Sequence, residues 1–277
     1  MVKLIAIDLD DTLLNSNGEI SEFNREIISN AYKNGIKIVL ASGRPLVDVT
    51  INFYKYLDVF NKGEYFIGYN GGAIYDVGTK EELYSDILEF NEIMEIHSSI
   101  DKKYDGIINH FIHQNNCVLY DVFNEYVNLE YLHNNIELKT IDFNNVNEDL
   151  WTYKYMLSGD PEVMKEVFKS IPKNILDKYN VCVSMPCYIE FQHKSVSKGN
   201  AINFIAKREN IKFDEIIAIG DSGNDLSMIE IVKYGVCMAN GLDKVKEKAY
   251  LVTDTNDLDG VGKAINKILD EERKQIA

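Results

Sequence analysis

The sequence predicts an α/β fold, a parallel sheet with helices on both faces, interrupted by an inserted α+β domain. Three observations carry this. Apolar strand-like runs alternate with segments of helical period from residue 1 to about 60. The same texture returns from about Tyr188 to the end. Between them lies a stretch richer in Asn, Tyr, His and Glu, less apolar than its flanks.

Taken in order, LIAI (4–7) has no polar alternation and reads as a strand covered on both faces. Phe23, Ile27, Ile28, Ala31 and Tyr32 recur at helical spacing, with Ser21 as N-cap and Gly35 as the stop. IKIVLAS (36–42) is a second buried strand, and Pro45 marks the first turn of a new helix, where proline is tolerated. YFIGYN (65–70) is a third strand, and NGG turns the chain into AIYD. The inserted stretch reads as a helix over Asn91–Tyr104, two short strands around HQNN (113–116), a helix, the strand WTYKYML (151–157) and a helix opened by Asp160-Pro161-Glu162. Lys198–Arg208 is helical again, EIIAIGD (215–221) and YGVCMAN (234–240) are strands, and Asp259–Arg273 is a closing amphipathic helix. The predicted domains are a core in two parts, 1–85 and 188–277, with the insert at 86–187.

The 277 residues are 45% hydrophobic and 26% charged, as expected of a soluble globular chain. A formal charge of −15 argues against a general nucleic-acid binder, which needs a basic stripe to neutralise phosphates. It leaves room for a small anionic substrate held by a local cation. No apolar run approaches the roughly 18 residues of a membrane span, and no basic stretch leads into a long apolar one. Neither membrane association nor a signal peptide is expected. Cys117, Cys182, Cys187 and Cys237 form no CxxC pair and read as reduced thiols of a cytoplasmic protein. His110 and His113 fall in a predicted hairpin without cysteines at finger spacing, so they do not predict zinc.

Two strands end alike, in IAIDLDD and in IAIGDSGND. Ligand sites of open α/β sheets lie at the carboxyl ends of strands. If these strands are parallel neighbours, Asp8, Asp10, Asp221 and Asp225 converge on one rim. Either motif alone is explained as well by turn capping; together they suit Mg²⁺, which takes a few carboxylates and keeps several waters. Ser42-Gly43-Arg44 follows another strand, where backbone N–H groups and a hydroxyl make an anion site or an ordinary cap. Lys198 stands in the first turn of a predicted helix, where the dipole disfavours a cation by about 0.3–1 kcal/mol. A bound anion or a nearby carboxylate would remove that conflict; solvent exposure would merely tolerate it.

In this order and context, DLDDT, the ASGR serine, the SKG lysine and GDSGND resemble the haloacid dehalogenase superfamily, and more narrowly its Cof-type subfamily, class IIB. NGGAIYD resembles that group's approach to its inserted domain, and the likeness spans essentially the whole chain. The resemblance implies a Rossmann-like three-layer core with a type C2B cap that closes over the site and selects the leaving group. It implies Asp8 as nucleophile, forming an aspartyl-phosphate, and Asp10 as the acid and then base. In an extended segment i and i+2 point the same way, so both can address one phosphorus. It further implies Mg²⁺ on the Asp8 carboxylate, the Asp10 carbonyl and Asp221, with Asp225 orienting the shell. Ser42, Gly43 and Lys198 would bind phosphoryl oxygens, assisted by Asn224, while Arg44 and Asn70 are candidate substrate or cap contacts and Thr12 supports the loop. The expected function is a Mg²⁺-dependent phosphatase of small phosphorylated metabolites, foremost sugar phosphates, acting as a monomer or weak homodimer. The rivals are a phosphomutase and, in a different class, a phosphoaspartate signalling or metabolite-binding module.

Overall fold

The structure is a computed structural model and describes residues 1–114 and 117–276. The chain divides into two units, Met1–Tyr84 with Ser197–Ala277, and Ser85–Val196.

The first unit is built on an eight-stranded sheet. Its spatial order is Leu251–Val252, Tyr234–Cys237, Ile216–Gly220, Leu4–Asp8, Lys37–Ala41, Tyr65–Gly68, Ala73–Asp76, Glu82–Ser85. From Leu251–Val252 to Tyr65–Gly68 every pairing is parallel, and Ala73–Asp76 then runs antiparallel. The Leu4–Asp8 strand therefore sits in mid-sheet, which is why its apolar run has no polar alternation. Leu4 and Ala6 pack with Ile202, Ile205 and Met228 from the Lys198–Glu209 and Leu226–Ile231 helices. Ile5 and Ile7, facing the opposite way, are just as fully buried. The Glu22–Lys33 and Gly260–Ile276 helices pair with one another, the Asn24 Oδ1 accepting from the Gly262 N–H at 2.8 Å. Each fully buried Ile or Leu contributes about 1.5–3 kcal/mol, so this strand anchors the unit.

Local signals act as expected in several places. Ser21 Oγ accepts from the Asn24 N–H at 3.1 Å and starts its helix, and Gly35, at φ +85°, lies just past its end. The helix expected at Pro45 begins instead at Asp48. Proline disfavours the helical region for the residue before it, Arg44. The first turn closes at Val47, whose N–H donates to Thr50 Oγ1 at 2.9 Å. Ser42-Gly43-Arg44 is thus a loop ahead of the helix and not its first turn.

The second unit carries a six-stranded sheet ordered Asn180–Met185, Tyr188–Gln192, Lys154–Ser158, Asn109–Gln114, Cys117–Tyr120, Glu137–Thr140. Its pairings are antiparallel except the last. Ile112, Tyr155, Leu157, Ile189 and Phe191 face the Phe90–Ser99 and Pro161–Ser170 helices, contributing Ile93, Ile96 and Val167. Asp160 caps the second helix, its Oδ1 accepting from the Glu162 N–H at 2.9 Å. Asn115 and Asn116 of HQNN lie outside the described residues. The strand at Tyr188, expected to reopen the core, belongs to this sheet, paired on both edges through Phe191 with Tyr155 and Val181. The strand alternates Ile189 and Phe191 with Glu190 and Gln192, unlike the unbroken apolar strands of the core.

Glu64 is 5% exposed, its carboxylate accepting from the Ile38 N–H at 2.9 Å. Burial pushes it up to about 7, against the relief from that N–H and from Lys37. Because the folded value lies above the unfolded one, its contribution is fully present below the ordinary carboxylate range and is lost as pH rises through about 7. Between pH 5 and pH 8 the parent chain is therefore expected to lose stability relative to Glu64→Gln, read from urea midpoints at both values. A constant difference would show that Glu64 titrates normally.

Candidate active site

Three neighbouring parallel strands end at one rim. Asp8 is the last residue of its strand, Ser42 follows Ala41, and Asp221 follows Gly220. The register, Asp8 beside Ala41 and Ile7 beside Ile219, brings these ends level. That is the position where open parallel sheets bind ligands.

Lys198 is the first residue of its helix, behind the Ser197 N-cap, and is fully buried. Its Nζ donates to Asp8 Oδ1 and, at 2.6 Å, to Asp225 Oδ1. The cation at the wrong end of the helix dipole is thus held by two carboxylates, not by solvent. Burial by itself would lower the ammonium's pKa, but Asp225 and Asp8 outweigh it and hold it above the ordinary value. Asp225 is fully buried, and its Oδ2 accepts from the N–H groups of Asp221 and Ser222, both at 3.0 Å. It therefore pins the loop that presents Asp221. Thr12 Oγ1 donates to Asp221 Oδ1 at 3.2 Å, tying the first loop to the same residue.

Two glycines let these segments meet. A Cβ on Gly220 would fall 2.4 Å from Asp225 Cγ, so only glycine leaves that side chain room. Gly71, at φ +106°, would place a Cβ 2.3 Å from the Ser197 carbonyl oxygen. The Asn70 loop thereby comes against the residue that caps the Lys198 helix.

Oxygens of Asp8, Asp221 and Asp225 lie within 4.8 Å of one another. Burial, then Asp225, raise the Asp221 carboxyl to about 6. Burial and the charge of Asp225 likewise raise Asp8, against the pull of Lys198. Three clustered carboxylates, all hard oxygen donors, fit a divalent Mg²⁺-type cation. Asp225 has both oxygens engaged within the protein, which suits an orienting role.

The Asp10 side chain stands apart from this cluster. The chain turns after the strand, with Asp10 extended and Asp11 at φ +56°. The Asp10 carboxylate is gripped side-on by Arg44, Nε to Oδ2 at 3.0 Å and Nη2 to Oδ1 at 2.6 Å. Ser42 Oγ also reaches Asp10 Oδ2, at 3.4 Å, while accepting from the Arg44 N–H at 3.2 Å. Asn224 Nδ2 donates to Asn70 Oδ1 at 2.9 Å, and the Asn70 N–H donates to the Ser42 carbonyl at 2.9 Å. Gly43 lies under the Asn70 amide, where a Cβ would approach Nδ2 to 3.3 Å. Asn70 thus links the serine loop to the GDSGND loop. The sequence reading missed Asn240, whose Nδ2 donates to the Asp11 carbonyl at 2.8 Å. Its position just beyond the Tyr234–Cys237 strand, at the same rim, is the signal that would have found it.

Comparison with known proteins bears on this arrangement. The family model described as haloacid dehalogenase-like hydrolase matches residues 5–265. YxeH of Bacillus subtilis, which carries a provisional phosphatase name, is 35% identical over 97% of this chain and 99% of its own. YcsE of the same organism, named a 5-amino-6-(5-phospho-D-ribitylamino)uracil phosphatase, is 28% identical over 95% of this chain and 94% of its own. A crystal structure of a haloacid dehalogenase-like hydrolase from Bacteroides thetaiotaomicron superposes with a TM-score of 0.85 at 31% identity, covering 97% of this chain and 100% of that one.

Replacing Lys198 by Met keeps the side chain's length but leaves Asp8 and Asp225 buried against each other. Removing one member of a buried ion pair costs about 3–5 kcal/mol, so the urea midpoint of Lys198→Met at pH 7 is expected to fall accordingly. A loss below about 1 kcal/mol would put the contact in the class of surface ion pairs.

Proposed function

The chain belongs to the haloacid dehalogenase-like hydrolases and is a phosphatase of that family, and on that premise we propose that it hydrolyses small phosphorylated metabolites with Mg²⁺, through an aspartyl-phosphate on Asp8. The observation that carries this is the buried Lys198 ammonium bonded to Asp8 and Asp225, beside Asp221. An anionic nucleophile can approach an anionic phosphate only where positive charge is already in place, and phosphoryl transfer depends mainly on such positioning.

In the proposed reaction an Asp8 carboxylate oxygen attacks phosphorus while the ester P–O bond breaks. The leaving alcohol oxygen takes a proton from Asp10. Water then attacks phosphorus, its proton passes to the Asp10 carboxylate, and the electrons of the Asp8–phosphorus bond return to Asp8. The Ser42 hydroxyl, the Gly43 N–H and Lys198 are proposed to hold the phosphoryl oxygens, with Asn224 tied alongside through Asn70. Asp8, Asp221, the Asp10 carbonyl and an orienting Asp225 would hold Mg²⁺, which when bound neutralises charge on the phosphoryl group.

For the substrate, the family resemblance and the relative YcsE both support a polyhydroxylated phosphate ester. The phosphate in that relative's named substrate sits on a ribityl chain, an open-chain sugar alcohol. Sugar phosphates are the class we propose. The four cysteines are all free thiols, which supports a reducing, cytoplasmic setting.

Asp8→Asn is expected to abolish p-nitrophenyl phosphate hydrolysis while leaving the circular dichroism spectrum intact. EDTA should silence the parent chain and Mg²⁺ should restore it. Inorganic phosphate should appear without a sugar bisphosphate, the product that a phosphomutase would make. Turnover by the Asp8→Asn chain would remove Asp8 from the nucleophile's role.

A further inference from the structure

We infer that Arg44 is a positioning residue for Asp10 in the second half of the reaction, the hydrolysis of the aspartyl-phosphate. The inference rests on the phosphatase function proposed above and adds a residue to its second step.

Arg44 presents two nitrogens to the two carboxylate oxygens of Asp10, at 3.0 and 2.6 Å. Such a fork fixes both the direction and the plane of a carboxylate, which a point charge such as lysine does not. Asp10 needs that help. It is 49% exposed at its side chain and stands on a turn that closes with Asp11 in the left-handed region. Left alone, an exposed aspartate samples several rotamers, and a base works only within hydrogen-bond reach of the proton it takes.

The grip also places Asp10 usefully. Its Oδ2 lies 3.4 Å from Ser42 Oγ, the hydroxyl assigned to a phosphoryl oxygen. Ser42 in turn follows the strand residue paired with Asp8. A carboxylate held there is next to the hydroxyl assigned to the phosphoryl group, at the rim where the Asp8 strand ends. Both Asp10 oxygens accept N–H bonds from Arg44, so the carboxylate is presented as an acceptor. That arrangement suits the step in which water gives up its proton to Asp10. In that step the water oxygen forms the new bond to phosphorus, its proton goes to the Asp10 carboxylate, and the Asp8–phosphorus bond breaks with its electrons returning to Asp8.

The local geometry makes Arg44 separable from the substrate-binding groups. Its side chain is 24% exposed, and it sits before Pro45 in a loop whose backbone is also anchored through Ser42 and Tyr69.

The experiment is rapid-mixing kinetics with p-nitrophenyl phosphate on the full chain, comparing the parent with Arg44→Met and Arg44→Lys. The nitrophenolate leaving group needs no proton, so the first step stays fast. Both variants are expected to release a burst of nitrophenolate larger than the parent's, approaching one equivalent per chain. A steady rate about tenfold or more below the parent's should follow, part of the roughly 10²–10⁴-fold that a positioned base supplies. Acid-quenched samples should hold more phosphate bound to the chain, and kcat for alkyl and aryl phosphates should converge, because one common intermediate becomes limiting. Arg44→Lys keeps the charge and should keep KM near the parent's while still showing the burst. A higher KM with unchanged kcat and burst in both variants would overturn the inference and make Arg44 a substrate-binding residue. A lower kcat without a burst would overturn it by placing Arg44 in the first step. Continued turnover by Asp8→Asn would overturn the phosphatase mechanism itself, and this inference with it.

Discussion

The structure turns on one ammonium group. Taking Lys198 out of water is unfavourable by several kcal/mol unless its partners are well placed, and here two carboxylates from distant parts of the chain supply them. Asp8 lies 190 positions before Lys198, and Asp225 lies 27 after it. The contact therefore joins both halves of a core that is interrupted in sequence. It also holds down the repulsion between Asp8 and Asp225, which could not share a buried rim without a cation between them.

Much of the surrounding architecture can be understood as what brings these three groups together. The parallel sheet puts the ends of the Leu4–Asp8, Lys37–Ala41 and Ile216–Gly220 strands side by side. Gly220 leaves space for Asp225, and Gly71 lets the Asn70 loop come against Ser197 at the start of the Lys198 helix. Asn70 and Asn224 then tie two loops across the rim. The carboxylates divide the work by environment. Asp225 is fully buried and orients, Asp8 and Asp221 face one another in the cluster, and Asp10, more exposed, is held by Arg44.

Several of these features were legible before any coordinates. Unalternated apolar runs marked central strands, because a strand covered on both faces has no solvent side to mark. Lys198 stood out through a local conflict, a cation in a helix's first turn, and the structure answers that conflict with Asp8 and Asp225. Other features left little local trace. Tyr188–Gln192 alternates Ile189 and Phe191 with Glu190 and Gln192, unlike the core strands, but its partners Lys154–Ser158 and Asn180–Met185 are set only by the pairing itself. The helix after SGRP starts late because the Thr50 hydroxyl, not proline, closes the first turn. Asn240 carries a side-chain bond to a carbonyl 229 positions away, a distance at which sequence pattern says nothing.

The sequence by itself determined the α/β class, the strand tips that bear aspartate, and the lysine whose place in a helix's first turn called for either a nearby anion or solvent. These follow from periodicity and from charges set in unfavourable local positions, both of which act over a few residues. Only the tertiary structure decided which carboxylates gather and which one turns away: Asp8, Asp221 and Asp225 to a common cluster, Asp10 to Arg44. The physical reason is that side-chain direction at a strand end depends on the turn that follows and on the neighbour across the rim. Both are settled by strand register and loop contact, not by the spacing of residues along the chain.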